Sequence, residues 1–307
     1  MPKSIHRICI LLVVLVCLEA SASNNVIRIA SGGLLDGYFN TSLKLCRYIS
    51  ASNNGIKCQV VPTSGSLENL WLLQRNQVEF AFAMSNLVIE SYNGTGHFTG
   101  TVPFKGMFQL LRLHDECFTM LARDTDNIKS FQDIDGLRIS NGPAKSDSTV
   151  VYEAIVPYYS FNKEPYDVEF VHEEYAKNFC EKKVNVVMLM TGHPCAIVNM
   201  ITNKCDTEFV AIDSNKLDEI IKNYPGFKRV SLGGDLYPDV SGTVDTLAVS
   251  TALVSSVSVD KAIITNLMNY LKTRIDKLKL ADPVLYDLDD EHFTSGFVIP
   301  GFMPDKK

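Results

Sequence analysis

No run of apolar residues in this sequence reaches the roughly twenty needed to cross a bilayer as a helix; the longest, Ile8 to Leu18, stops well short. Metal and dithiol signatures are missing too. There is no CxxC, no HExxH and no cluster of Cys with His, so neither a metal nor a cofactor is expected. The G-x-S-x-G elbow of many hydrolases is absent, which removes the commonest serine nucleophile. Basic residues are neither in excess nor clustered, and the net charge of −6 over 307 residues excludes the electrostatic footprint of a nucleic-acid binder. Repeats and low-complexity tracts are also lacking.

What is present begins with compartment. Lys3, His6 and Arg7 precede the apolar run, and Ala20-Ser21-Ala22 follows it. That is the order of a cleavable secretory signal, so residues 1–22 are expected to be a signal peptide and the mature protein to be periplasmic. Val16 before Cys17 argues against a lipoprotein signal, which wants a small residue there.

Six cysteines follow the signal: Cys46, Cys58, Cys117, Cys180, Cys195 and Cys205. In an oxidising compartment they are candidate disulfide partners. Six cysteines allow fifteen pairings, and the nearest neighbours are Cys46 with Cys58 and Cys195 with Cys205. Burial as unpaired thiols is the alternative.

Short β-rich runs alternate with amphipathic ones: Val26 to Ala30 then Tyr38 to Ser52, Cys58 to Val61 then Leu67 to Asn76, followed by Val78 to Met84 and Cys117 to Ala122. This is the rhythm of an open α/β sheet. It restarts at Arg138-Ile139-Ser140, with a helix near Thr149 to Tyr158 and strands at Asp167 to Val171 and Val184 to Met190. Val244 to Ser250 is again strand-like, and Val259 to Leu280 has apolar residues at the spacing of one long helix. The remainder, from Ala281, reads as an irregular wrap. The chain is longer than one core usually serves. Two lobes are therefore expected, each an open, mostly parallel sheet flanked by helices: residues 23–119 with 247–307, and residues 120–246.

Small polar turns stand where strands end and helices begin, the place where open α/β sheets bind ligands. Ser31-Gly32-Gly33 follows the first strand, Thr63-Ser64-Gly65-Ser66 the second and Ser85-Asn86 the third. In the second lobe, Asn141 to Thr149 and Thr191-Gly192-His193-Pro194 take the same position. Unpaired N–H groups at helix starts, with hydroxyls and glycines, suit a carboxylate or phosphate. Ser31, Gly33, Ser64, Ser66, Ser85, Asn86, Asn141, Ser146, Ser148, Thr149 and Thr191 are thus candidate ligand contacts. His193, with Tyr38 and Tyr237 as pocket-lining aromatics, completes the set. The competing explanation is plain helix capping, for which Ser, Thr and Asn are the preferred residues. Two features complicate an anion: Asp36 and Asp147 lie in these turns and repel one unless they point away or, for Asp147, pair with Lys145.

The turns resemble those of the TAXI solute receptors that serve TRAP transporters. The resemblance is carried by Ile29 to Gly33 with Tyr38-Phe39, Thr63 to Leu70, Val78 to Phe82 and Tyr92 to Phe98. Ile139 to Pro143, Gly192-His193-Pro194 and Leu232 to Pro238 continue it through the second lobe. It implies a class II periplasmic-binding-protein fold, a two-strand hinge near Phe118 to Ala122 and Thr243 to Ala248, and closure on a small anion of the glutamate, dicarboxylate or oxo-acid class. It further implies delivery to TRAP membrane subunits by a monomeric, non-enzymatic protein. The chain departs from the family at Leu35 and Asp36 and at Ala144 to Ser148, where the family carries more glycine. A secreted surface antigen or adhesin, and a secreted enzyme on the same fold, are the rival classes.

Overall fold

A computed structural model describes residues 26–35, 37–51, 56–237 and 240–289. The expected signal, Asp36 and the tail beyond residue 289 lie outside the described residues.

The first part of the chain forms β1 (Val26–Ala30), β2 (Lys57–Val61) and β3 (Phe80–Met84), with β1 parallel to both of the others. β3, with sequence FAFAM, is buried at every position. Such a continuous apolar run marks a strand covered on both faces. Helix α1 (Gly37–Ser50) buries Tyr38, Thr41, Ser42, Leu45, Cys46 and Ile49, the i, i+3, i+4 stripe of a helix against a sheet. α2 (Ser66–Gln74) buries Leu67, Leu70 and Leu73, and α3 (Ser85–Asn93) leaves β3 directly and ends on left-handed Gly94.

The second part repeats the pattern with β5 (Arg138–Ser140), β6 (Tyr166–Asp167) and β7 (Val186–Thr191), where β5 is parallel to both β6 and β7. The strand expected over Asp167 to Val171 is only this short edge. Helices α4 (Asp147–Ile155), α5 (Tyr175–Cys180), α6 (Ala196–Thr202) and α7 (Ser214–Asn223) accompany it.

Two long antiparallel strands, β4 (Met107–Arg123) and β10 (Thr243–Ser256), run between the two parts. β10 pairs with β3 through Thr251 to Ser255 and with β9 (Phe227–Gly233) through Thr243 to Val249. β4 pairs with β7 through Cys117 to Ala122 and with β8 (Thr207–Phe209) near its end. The sheet order is β2-β1-β3-β10-β4-β7-β5-β6. β4 begins ten residues earlier than the expected strand at Cys117.

One apolar cluster draws on both parts, a second on the first part with the chain's later helices, and a third on the second part with Leu35 of the first packed against it. The expected single helix over Val259 to Leu280 is two, α8 (Lys261–Lys272) and α9 (Ile275–Ala281). Thr273 Oγ donates back to the Tyr270 carbonyl at 3.0 Å, a bond that competes with helix continuation.

Disulfides join Cys46 to Cys58 and Cys180 to Cys205. Cys205 is therefore not the partner of Cys195, contrary to the nearest-neighbour expectation. Cys195 is the residue before α6 and Cys205 lies beyond its end. Seven helical residues between them rise roughly 10 Å, beyond the Cα separation a disulfide spans.

Candidate functional site

The turns after β1 and β2 spend most of their polar groups on each other. Ser31 Oγ donates to the Val61 carbonyl at 3.1 Å. Thr63 Oγ1 donates to the Ser31 carbonyl at 3.0 Å, and Asn69 Nδ2 to the Phe82 carbonyl at 2.8 Å. Ser64 gives its N–H and hydroxyl to Glu68 Oε2 at 2.8 and 2.9 Å. Gly33 has open space around it. Ser31 and Ser64 are thus engaged within the turns in this arrangement, Ser31 with the Val61 carbonyl and Ser64 with Glu68.

Ser66, the first residue of α2, behaves differently. Its backbone N–H and its hydroxyl donate to Asp147 Oδ1 and Oδ2, both at 2.8 Å. Asp147 opens α4 in the other part of the chain. It neither points away nor pairs with Lys145, which is exposed. Burial is the larger influence on the Asp147 carboxyl and raises it to about 6, against the lowering effect of the Ser66 bonds. Gly65 is required at this contact: its φ is +131°, and a Cβ there would stand 2.9 Å from Asp147 Oδ1.

Within the second part, Ser146 caps α4 by accepting the Thr149 N–H at 3.3 Å, and Thr149 Oγ1 donates to the Pro143 carbonyl at 3.0 Å. Asn141 donates its N–H toward Asp167 at 3.4 Å. Ser148 Oγ accepts the Met190 N–H at 2.8 Å, and Thr191 Oγ1 reaches the Gly192 carbonyl at 3.2 Å. His193 is fixed on both ring nitrogens, by Thr119 Oγ1 at 2.8 Å and the Tyr237 hydroxyl at 2.5 Å. The same hydroxyl accepts the Cys195 N–H at 2.7 Å. Burial pushes the His193 imidazole down to about 4, so it is neutral at pH 7 and orders its own loop.

Tyr38, 1% exposed, crosses from α1 to the long strands. Its hydroxyl donates to Glu116 Oε2 at 2.6 Å and lies 3.3 Å from Thr251 Oγ1. It also hydrogen bonds with Asp147. Burial and the adjacent acids keep the phenol protonated.

Beside Thr251 lies a cavity of about 340 Å³, lined among others by Ser85, Gln109, Arg112, Ser250, Thr251 and Gly226. That volume fits a small metabolite. Gly226 brings the second part against the first: a Cβ on it would lie 3.4 Å from Ser85 Oγ and 3.5 Å from the Asn86 N–H nitrogen. Asn86 is buried, and its Oδ1 has no partner among the described residues. Asp115, beside the lining residue Ser250, is bonded to Lys228 at 2.5 Å and to Ser250 at 2.8 Å. Arg112 lines the cavity and, against the opposing effect of burial, joins Lys228 in holding the Asp115 carboxyl below its ordinary value; a guanidinium is the side chain best shaped for a carboxylate.

Of the candidates from the sequence, Ser85 alone lines the cavity; Tyr38 reaches Thr251 with its hydroxyl, Ser66 is bonded to Asp147 and Met84, and Asn86 follows Ser85 without lining it. Ser31, Gly33, Ser64, Asn141, Ser146, Ser148, Thr149, Thr191, His193 and Tyr237 do not line the cavity. Arg112, Gln109, Glu116, Ser250 and Thr251 were not foreseen; all lie on β4 and β10. Among the described residues no three metal-ligating side chains cluster, and no helix is long and apolar enough to cross a membrane.

A family model described as the NMT1-like family matches residues 29–301. Among solved structures, a putative L-cystine ABC transporter from Listeria monocytogenes is similar with a TM-score of 0.51 at 13% identity, covering 86% of this chain and 97% of that one. A Xanthomonas citri protein bound to ATP matches with a TM-score of 0.50 at 12% identity over 87% and 93% of the two chains. An ancestral arginine-binding protein bound to arginine matches with a TM-score of 0.50 at 12% identity over 86% and 97%. The mixed α/β architecture is thus shared with these three proteins.

Proposed function

The chain belongs to the NMT1-like family, and we propose that it is an extracytoplasmic receptor that takes a small carboxylate anion into the cavity around Arg112 and hands it to a membrane transporter. The observation that carries this is Arg112 itself: a guanidinium at a cavity of about 340 Å³, with hydroxyls and amides of Ser85, Gln109, Ser250 and Thr251 around it. A carboxylate there gains a charge-assisted, bidentate pair. The two parts of the sheet act as the lobes, residues 23–119 with 247–307 and residues 120–246. β4 and β10 are the hinge, and closure traps the solute by the hinge motion common to such receptors.

The TAXI resemblance supports the finer assignment: glutamate, a dicarboxylate or an oxo-acid as solute, TRAP membrane subunits as partner, and a secreted monomer held in the periplasm. An enzyme is disfavoured by the state of the available groups. Burial, with Asp115 and Glu116 nearby, holds the Cys117 thiol up at about 12, and His193 sits at about 4. Neither is a nucleophile or a base matched to neutral pH.

The experiment is a thermal-shift screen of the mature protein against amino acids, dicarboxylates, oxo-acids and sugars. A carboxylate at a hundred times its dissociation constant adds about 2.7 kcal/mol of stability. If sugars or cations raise the melting temperature and no carboxylate does, the assignment fails.

A further inference from the structure

One carboxylate already sits between the two parts of the chain, and the chain supplies it. Asp147 lies 81 residues from Ser66, at the start of α4, and reaches over to the start of α2. The first N–H groups of a helix have no partner within it. The residue before α2 is Gly65, which has no side chain to cap with. Asp147 takes the Ser66 N–H and hydroxyl at 2.8 Å each. Nothing local to α2 does this, whereas α4 is capped from its own turn by Ser146.

The surroundings are those of a buried, hydrogen-bonded carboxyl group rather than of a surface ion pair. Asp147 is 8% exposed, and no ion pair to it occurs among the described residues. The titratable groups around it are Tyr38 from α1 and, through that hydroxyl, Glu116 from β4. On α2, Glu68 is turned to Ser64, and Lys145 in the turn before α4 is exposed. The phenol hydrogen of Tyr38 faces two acids and serves only one at a time.

We propose that Asp147 is a tethered ligand: its side chain fills a carboxylate subsite between the starts of α2 and α4 and holds the two parts together when no solute is bound. The subsite is made for a carboxylate of either origin, the chain's own or a free one. This deepens the receptor assignment and rests on it for the role of closure, but the contact can be tested without knowing the solute. A solute that enters the Arg112 cavity then meets a cleft whose second carboxylate position is taken.

The test is chemical rescue. Asp147→Gly removes the tethered carboxylate and leaves its space and the Ser66 donors. Sodium acetate should then raise the melting temperature of this variant in a saturable way, by about 3–5 °C at ten times its dissociation constant. The unsubstituted protein should show no such rise, and sodium chloride at equal ionic strength should not replace acetate. Asp147→Ala, which keeps a helix-forming residue at that position, is the parallel variant should the glycine form not fold. Absence of acetate rescue in the folded variant, or an equal response from the unsubstituted protein, overturns the proposal. Any acetate bound at the Arg112 cavity, which both proteins keep, raises both alike, so rescue at Ser66 is read as the excess rise of the variant over the unsubstituted protein and is separate from solute binding at Arg112.

Discussion

The two parts of the sheet tie their third strands to a helix in the same way and then diverge. Ser66 Oγ accepts the N–H of Met84 at the end of β3, and Ser148 Oγ accepts the N–H of Met190 near the end of β7, at 2.9 and 2.8 Å. Each serine stands in the first turn of its helix. In the second part the helix is completed by its own Ser146. In the first, Gly65 offers nothing and the missing acceptor comes from the other part as Asp147. The difference teaches that equivalent strand-end turns are not equivalent sites. One is closed by its own sequence, and the other is left for something from across the cleft.

The cavity side of Thr251 extends the contrast. There the chain places a cation, Arg112, in the lining of a cavity, whereas at Ser66 it sets out donors and fills them. Arg112→Gln should therefore show the largest effect. Titration calorimetry with whichever solute the screen selects should give at least about a 30-fold loss of affinity, corresponding to the roughly 2–5 kcal/mol of losing one partner of a buried charge pair. A loss of only a few-fold would move the solute away from this strand.

Next in size is the pH dependence of stability. The Asp147 carboxyl stands at about 6 in the folded protein against an ordinary 3.8, with burial as the main cause. The folded state thus binds this proton more tightly than the unfolded chain. Asp147 favours folding in acid: its contribution grows as pH falls from 7 through 6 and is complete below about 4, to a total on the order of 3 kcal/mol. Buried His114 and His193, both lowered to about 4, act in the opposite direction. Denaturant melts of Asp147→Asn beside the unsubstituted protein isolate the aspartate, and the difference between the two should shift in favour of the unsubstituted protein as the buffer is acidified.

A smaller effect separates two glycines that look alike in the sequence. Gly65→Ala forces a Cβ to 2.9 Å from Asp147 Oδ1 at a φ of +131°, and should destabilise by about 1–3 kcal/mol. Gly33→Ala meets nothing within 4 Å and should stay within about 0.5 kcal/mol. Equal melting temperatures for the two variants would remove the close approach from the account.

These contrasts mark how far the sequence was legible. The α/β rhythm, the restart at Arg138 and the strand-end turns follow from periodicity and small residues, and the fold agrees with them. The turn hydroxyls were visible as candidates, but capping and ligand binding use the same residues, so Ser31, Ser146 and Thr149 could not be told from Ser85. Arg112 was hidden for a different reason. From Gln109 to Glu116, β4 carries Gln109, Arg112, His114, Asp115 and Glu116, and polar residues at such density do not alternate as a strand should. They are tolerated because this strand runs between the two parts, where Tyr38, Lys228 and Ser250 provide partners. The pairing of Cys205 with Cys180 depended on α6 lying between Cys195 and Cys205, which spacing alone does not reveal.

The most direct measurement is a crystal structure of the mature protein with the solute that the screen selects. The account predicts a carboxylate of that solute within hydrogen-bonding distance of the Arg112 guanidinium, enclosed between Ser85 and Gly226. A solute bound elsewhere, with the Arg112 cavity left without it, would contradict the account.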